Sequence, residues 1–275
     1  MADRIAATLR ELRKHAGLSG ERLGARCAMS QSKISKIETG KIIPSVVDVE
    51  RILRALNAPP DVLTDIITLS GRAHTEFQDV RSLMRKGLDK RQAELGSLER
   101  ATTDFRFFRP AVLADLISTP DYIRASLAHV RGDMTKAIAK EIERQAVLHD
   151  ADKRFSFVIT ESAARWQLCP PSAMAAQLDH LTELSCLPNI RLGVIPVTAA
   201  IRHGPLNAFT VYDTRLVTAE TFTGVVVMRD PVDVDLHREL FSRFMDGALF
   251  DDAARERLSD WASVFQRSKL CKHEN

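Results

Sequence analysis

Apolar residues recur at helical spacing from the first residues of the chain, where Ile5, Leu9, Leu12 and Ala16 share one face and Arg4, Arg10, Arg13 and Lys14 lie on others. Gly17 ends this first predicted helix. Ser19 is a good N-cap for a second, with Leu23 and Cys27 one turn apart on its inner face. Ala28 and Met29 form a turn, and Ser30 caps a third helix in which Ile34 and Ile37 face inward. Gln31, Ser32, Lys33, Ser35 and Lys36 are left outward, and Thr39-Gly40 stops the helix with a glycine where a left-handed residue is needed. Pro44 and Ser45 open a fourth helix with Val46, Val49, Leu53 and Leu56 inward. Pro59-Pro60 precede a fifth, whose apolar face is Val62, Leu63, Ile66 and Ile67. The pattern predicts an all-α bundle of five short helices over residues 1–71.

Residues 72–104 carry Phe77, Val80, Leu83, Met84, Leu88, Leu95 and Leu98 among many charges, with Gly87 and Gly96 between them, and read as a helical connector. The texture then changes. Helices are expected near 111–129 and 133–149, a strand at 155–160, a helix at 172–184 and a strand at 190–195. A hairpin of 208–212 and 216–220 turns at Asp213-Thr214, 225–228 is a candidate edge strand, and two helices follow near 233–249 and 252–267. Residues 105–275 are therefore expected to form a small mixed α/β sheet domain with helices packed on it.

Composition adds a bias but little more. The 275-residue chain has an ordinary apolar fraction of 45% and a net charge of +3. Residues 1–100 hold eighteen Lys/Arg against thirteen Asp/Glu, so the excess positive charge lies with the predicted bundle, a weak signal for phosphate attraction. No run approaches the roughly eighteen apolar residues of a membrane span, and the amino terminus enters an amphipathic helix, so a cytoplasmic protein is expected with no membrane partner. Cys27, Cys169, Cys186 and Cys271 form no CxxC pair, which indicates neither a zinc site nor a disulfide framework, and buried thiols are the default.

Two capped helices around a short turn, followed by a Thr-Gly-Lys exit, form an array. The run Gln31-Ser-Lys-Ile-Ser-Lys-Ile-Glu-Thr-Gly-Lys41 resembles the second motif helix of the Xre/Cro/phage-repressor family of helix-turn-helix regulators. The resemblance implies double-stranded DNA as partner, with Gln31, Ser32 and Lys36 meeting base edges and Lys33 and Ser35 beside them. Glutamine can pair with adenine and lysine can donate to guanine O6/N7. By the same resemblance, phosphates fall to Arg10, to the helix start at Gly20 and to the Thr39–Lys41 exit. Many family members have glutamine where this chain has Gly20, leaving only a backbone amide there.

A second resemblance covers most of the remaining chain. Leu98-Glu-Arg-Ala, Arg109-Pro, Thr119-Pro-Asp-Tyr-Ile-Arg-Ala, Arg144-Gln, Phe155-Ser-Phe-Val-Ile-Thr-Glu161, Gln177-Leu-Asp-His-Leu, Leu187-Pro-Asn-Ile-Arg-Leu-Gly-Val-Ile-Pro196 and Ala219-Glu-Thr occur in that order. They are similar to the large C-terminal domain of actinobacterial Xre-type regulators of the WhiJ-like group. Ala114-Asp-Leu-Ile-Ser-Thr119 stands where that group usually has Pro-Gly-Leu-Leu-Gln-Thr. The resemblance implies a homodimer on an inverted-repeat operator, a role in development or secondary metabolism, and a C-terminal domain that senses a small-molecule effector or binds a protein. Its alternative is an antitoxin-like interaction protein that holds a small co-encoded BldB-like partner and binds DNA only for autoregulation.

No enzyme is expected. The sequence has no G-x-S-x-G elbow, Walker loop, GxGxxG or H-E-x-x-H, and no cofactor motif. The order of elements has a faint likeness to phospholipase D-type half-domains but lacks their H-x-K-x4-D motif, since Gly204-Pro205-Leu206 follows His203. Glu161, His203, Asp213 and Glu220 stand at strand ends and could converge in a ligand pocket, although each also reads as a surface residue or local cap. His180, Trp166 and Trp261 read as packing residues, and Asp150, Asp152, Lys153 and Arg154 as a solvated turn.

Overall fold

A computed structural model describes residues 2–79, 95–130 and 133–270. The chain divides into two compact units, residues 1–77 with 226–233 and residues 78–225 with 234–275. Residues 80–94 of the expected connector lie outside the described residues, as does Cys271.

The first unit contains α1 (Ala2–His15), α2 (Gly20–Cys27), α3 (Gln31–Glu38), α4 (Val46–Ala55) and α5 (Pro60–His74). Ile5, Leu9, Leu23, Cys27, Ile34, Ile37, Val49, Leu53 and Ile66 form its core, as the spacing predicts. Ala16 is the exception, exposed beyond the end of α1. Three serines act as N-caps: Ser19, Ser30 and Ser45 accept the amides of Arg22, Lys33 and Asp48. The carbonyl of Pro44 accepts both the Ser70 hydroxyl and His74 Nε2, which ties α5 to the start of α4. Asp230, buried, accepts the amide of Val46 and so satisfies another donor at the same helix end.

Residues 75–79 do not continue the helix. They form strand β1 (Thr75–Asp79), mostly exposed and too polar to be distinguished from a helix face by periodicity. The other strands are β2 (Asp104–Arg109), β3 (Arg154–Thr160), β4 (Ile190–Ile195), β5 (Phe209–Tyr212), β6 (Leu216–Thr221) and β7 (Gly224–Met228). They make a seven-stranded sheet in the order β1-β7-β6-β5-β2-β3-β4, larger than the small sheet expected, and β7 is not an edge because β1 pairs with it. β3 is parallel to β2 and to β4, whereas β5 runs antiparallel to β2 and β6.

Helices near the expected positions are α6 (Pro120–Ser126), α7 (Thr135–Arg144), α9 (Pro171–Leu184), α10 (Pro231–Asp246) and α11 (Asp251–Leu270), with a short α8 (Glu161–Arg165) besides. The parallel register sets Phe105 beside Phe155 and Phe107 beside Phe157, and each pair stacks at 4.7 Å. Met174, Leu178 and Leu181 of α9 and Leu258, Trp261 and Phe265 of α11 join this core. Three expectations fail here. Trp166 is 64% exposed rather than packed, and Cys186 is an exposed thiol. Lys153 is no part of a solvated turn: it is buried, with its ammonium donating to the carbonyls of Arg100 and Thr102. Among the described residues no helix is long and apolar enough to cross a membrane.

Candidate nucleic-acid interface

Two backbone features set the α2–turn–α3 geometry. Ala28 takes a left-handed conformation at φ 53°, and Gly24 faces the turn so closely that a Cβ there would lie 2.7 Å from the Met29 carbonyl oxygen. Only glycine allows the helices to approach this far. Arg13 of α1 then fixes α3 from the other end, with Nε and Nη2 on the two carboxylate oxygens of Glu38 at 2.6 and 2.7 Å.

This frame buries Ile34 and Ile37 and leaves Gln31, Ser32, Ser35 and Lys36 exposed on the opposite side of α3. Lys33 differs from these neighbours. Its ammonium sits 2.8 Å from the Asp48 carboxylate, so part of its charge is already answered within the unit. Gln31 stands beside Gly20, where an added Cβ would be 3.9 Å from its Cγ and Nε2, so the space next to Gln31 stays open.

The residues expected to hold phosphates are placed unequally. Arg10 is exposed and shares a shallow hollow with Lys14, Thr39 and Gly40, although Asp3, Glu11 and Glu38 line it too. The Thr39 hydroxyl donates to the Ser35 carbonyl at 2.7 Å. The amides of Thr39, Gly40 and Lys41 also turn back onto α3, to Ser35, Ile37 and Lys36, with Gly40 at φ 69°. The exit is thus a closed helix cap, and its means of reaching an anion is the exposed Lys41 side chain. Gly20 opens α2, where the first amides of a helix have no intrahelical acceptor.

A model described as a helix-turn-helix domain matches residues 4–65, which hold α1 to α4 and the start of α5. A second, a domain of unknown function (DUF5753), matches residues 92–260, more than half of the chain. The chain belongs to the DUF5753 family. No curated protein matches it. Among solved structures, the phospholipase D family member Nuc from Salmonella typhimurium is 15% identical, covers 58% of this chain and 90% of its own, and has a TM-score of 0.35. NucT from Helicobacter pylori is 9% identical, with 64% and 98% covered and a TM-score of 0.39. TrmBL2, an archaeal chromatin protein, is 11% identical, with 74% and 66% covered and a TM-score of 0.32. At these TM-scores none of the three bears on activity.

Inside the DUF5753 domain the four residues expected at strand ends do not form one pocket. Asp213 sits in the β5–β6 turn at φ 52° and accepts the amides of Thr103 and Asp104 and the Thr103 hydroxyl. Burial pushes its carboxyl up, but these donors and Arg215 outweigh it and hold the group below its ordinary value. Glu220 instead meets Arg109 at 3.0 Å, at the far end of β2, roughly 20 Å away by strand rise. Glu161 accepts the Val197 amide and pairs with Arg165, which overcome the upward push of burial and leave its carboxyl lowered. His203 is not at a strand end: it lies in the loop between β4 and β5, where it lines a hollow and is hydrogen-bonded through Nε2 to Arg243 at 2.8 Å. Asp213 and Glu161 thus accept nearby backbone amides, and Glu220 pairs with Arg109.

The residues carrying the second resemblance are largely each other's partners. Arg144 pairs with buried Glu99, Arg109 with Glu220, and the Thr119 amide with Gln177 Oε1, whose Nε2 donates to Ile117. Gln145 donates to the carbonyls of Asp115 and Ser118. Among the described residues no group of three His, Cys, Asp or Glu could hold a metal ion. The chain is a helix-turn-helix DNA-binding regulator whose larger part is a DUF5753 domain.

Proposed function

We propose that the chain is a sequence-specific transcription regulator that binds an inverted-repeat operator as a homodimer, with the DUF5753 domain as its regulatory part. The observation that carries this reading is the division of α3 into a buried Ile34/Ile37 side and an exposed polar side on a frame fixed by Gly24 and the Arg13–Glu38 pair. In a major groove, Gln31 offers an amide to adenine, Lys36 an ammonium to guanine, and Ser32 and Ser35 hydroxyls to either base. Lys33, paired with Asp48, acts at the margin of this contact. Arg10, the α2 amides at Gly20 and Lys41 hold the flanking phosphates, while Thr39 serves chiefly to close the helix.

Order and content of the resembling segments in residues 98–221 favour the WhiJ-like group. Selection of bound duplexes from a random pool by the full chain tests the proposal. The expected consensus is an inverted repeat with half-site centres about 10 bp, or roughly 34 Å, apart. A pool with no shared sequence contradicts it and leaves the antitoxin-like interaction protein as the better reading.

A further inference from the structure

On the sheet face that bears Phe108, the DUF5753 domain has a half-open hollow of about 360 Å³, within the size range of small-molecule sites. Its floor is aromatic. Phe108 lies flat on Phe244 of α10, with ring centroids 3.9 Å apart and planes 7° from parallel, and Phe209 meets His237 edge-on at 5.1 Å. The three phenylalanines are buried.

The polar side of the hollow is basic. Arg202, His203 and His237 line it, and no Asp or Glu does. Arg243, which contacts His203, is balanced by Glu239, whereas Arg202 forms no ion pair among the described residues. A guanidinium can only donate, so the contact with Arg243 makes His203 Nε2 an acceptor and places the ring hydrogen on Nδ1, where it is available as a donor. An apolar hollow with an aromatic floor, an arginine with no acidic residue in the lining and an oriented imidazole donor together suit a flat ligand with one anionic end. A ligand cation would find no carboxylate in the lining.

We infer that this hollow binds a small aromatic carboxylate, with its ring on the apolar lining beside Phe209, Leu206 and Leu240 and its anion on Arg202 and His203 Nδ1. The assignment as a binding site stands apart from the DNA reading. Its use as the effector site of a regulator rests on that reading.

The test uses the full chain without DNA, so its failure leaves the operator proposal untouched. Ligand-observed NMR titrations are run with 4-fluorophenylacetate and indole-3-acetate, and with the matching alcohols, 2-(4-fluorophenyl)ethanol and tryptophol. At least one acid is expected to bind saturably, and at least about tenfold more tightly than its alcohol, the difference expected of one charge-assisted contact. Arg202→Ala should abolish that preference, Arg202→Lys should restore part of it, and Arg267→Ala, an exposed arginine outside the lining, should keep it. Arg202 is exposed, so its replacement leaves the core intact. Failure of both acids to saturate overturns the inference. So does an acid preference that survives Arg202→Ala, or one that Arg267→Ala removes equally.

Discussion

Polar side chains are used in opposite ways in the two units. Along α3 of the helix-turn-helix unit, Gln31, Ser32, Ser35 and Lys36 are exposed, and the packing beneath them does not need them. In the DUF5753 domain the recognisable polar residues face one another: Glu99 with Arg144, Arg109 with Glu220, Thr119 with Gln177. One unit keeps chemistry for a partner, and the other has used most of it to fix its own fold. A polar motif therefore points to function only where the fold leaves it without internal partners.

Substitutions can break this comparison, and the largest effect is expected where the α3 frame is tightest. Gly24→Ala places a methyl 2.7 Å from a backbone oxygen, which cannot yield as a side-chain tip would. It should cost about 3 kcal/mol of unfolding free energy and take DNA binding with it. Unchanged urea midpoint and DNA affinity in that variant would show that the turn does not set the geometry.

Next is Asp213→Ala, which removes three hydrogen bonds to a carboxylate and should destabilise the DUF5753 domain by about 2 kcal/mol while sparing DNA contacts. The folded carboxyl lies below its ordinary 3.8, so its contribution is present in full above that value and is lost as pH falls through the lowered folded value. Urea midpoints of wild type and Asp213→Asn should therefore differ at neutral pH and converge in acid. A gap that stays constant with pH would mean the carboxylate charge is not what matters.

Gln31→Ala and Lys36→Ala should each lower affinity for the selected operator by about 1–3 kcal/mol, with preference relaxed at one or two base pairs. Lys33→Ala, with its ammonium already on Asp48, should lose less than about 1 kcal/mol. Equal losses on operator and scrambled duplexes would remove Gln31 and Lys36 from the base readers. The smallest change is expected for Lys41→Ala: similar weakening on all DNA and a salt slope lower by about one. An unaltered slope would take Lys41 out of the phosphate contacts.

The same contrast explains what could be read from the chain alone. Helices α1 to α5 were legible because each carries an apolar stripe and three of them a serine cap, β3 because aromatic and β-branched residues recur from Phe155 to Thr160, and β4 because its mostly apolar run is bounded by prolines. β2 was not. Asp104-Phe-Arg-Phe-Phe-Arg109 carries three charges in six residues, and these are answered only in the fold, Arg106 by Asp104 and Arg109 by the Phe209 carbonyl, Thr210 and Glu220. Lys153 misleads for the same reason, since its buried partners are carbonyls fifty residues away in sequence. His203, placed by the fold in the loop between β4 and β5, lines an aromatic-floored hollow. The aromatic residues of that floor come from β2, β5 and α10, a convergence that no local spacing encodes.

Dimethyl sulfate footprinting on the selected operator tests the central claim most directly, because it reports access to guanine N7 in the major groove. The account predicts at least one protected guanine in each half-site with the wild-type chain, lost with Lys36→Ala and retained with Lys41→Ala. Bound DNA whose guanines react as freely as naked duplex would contradict it.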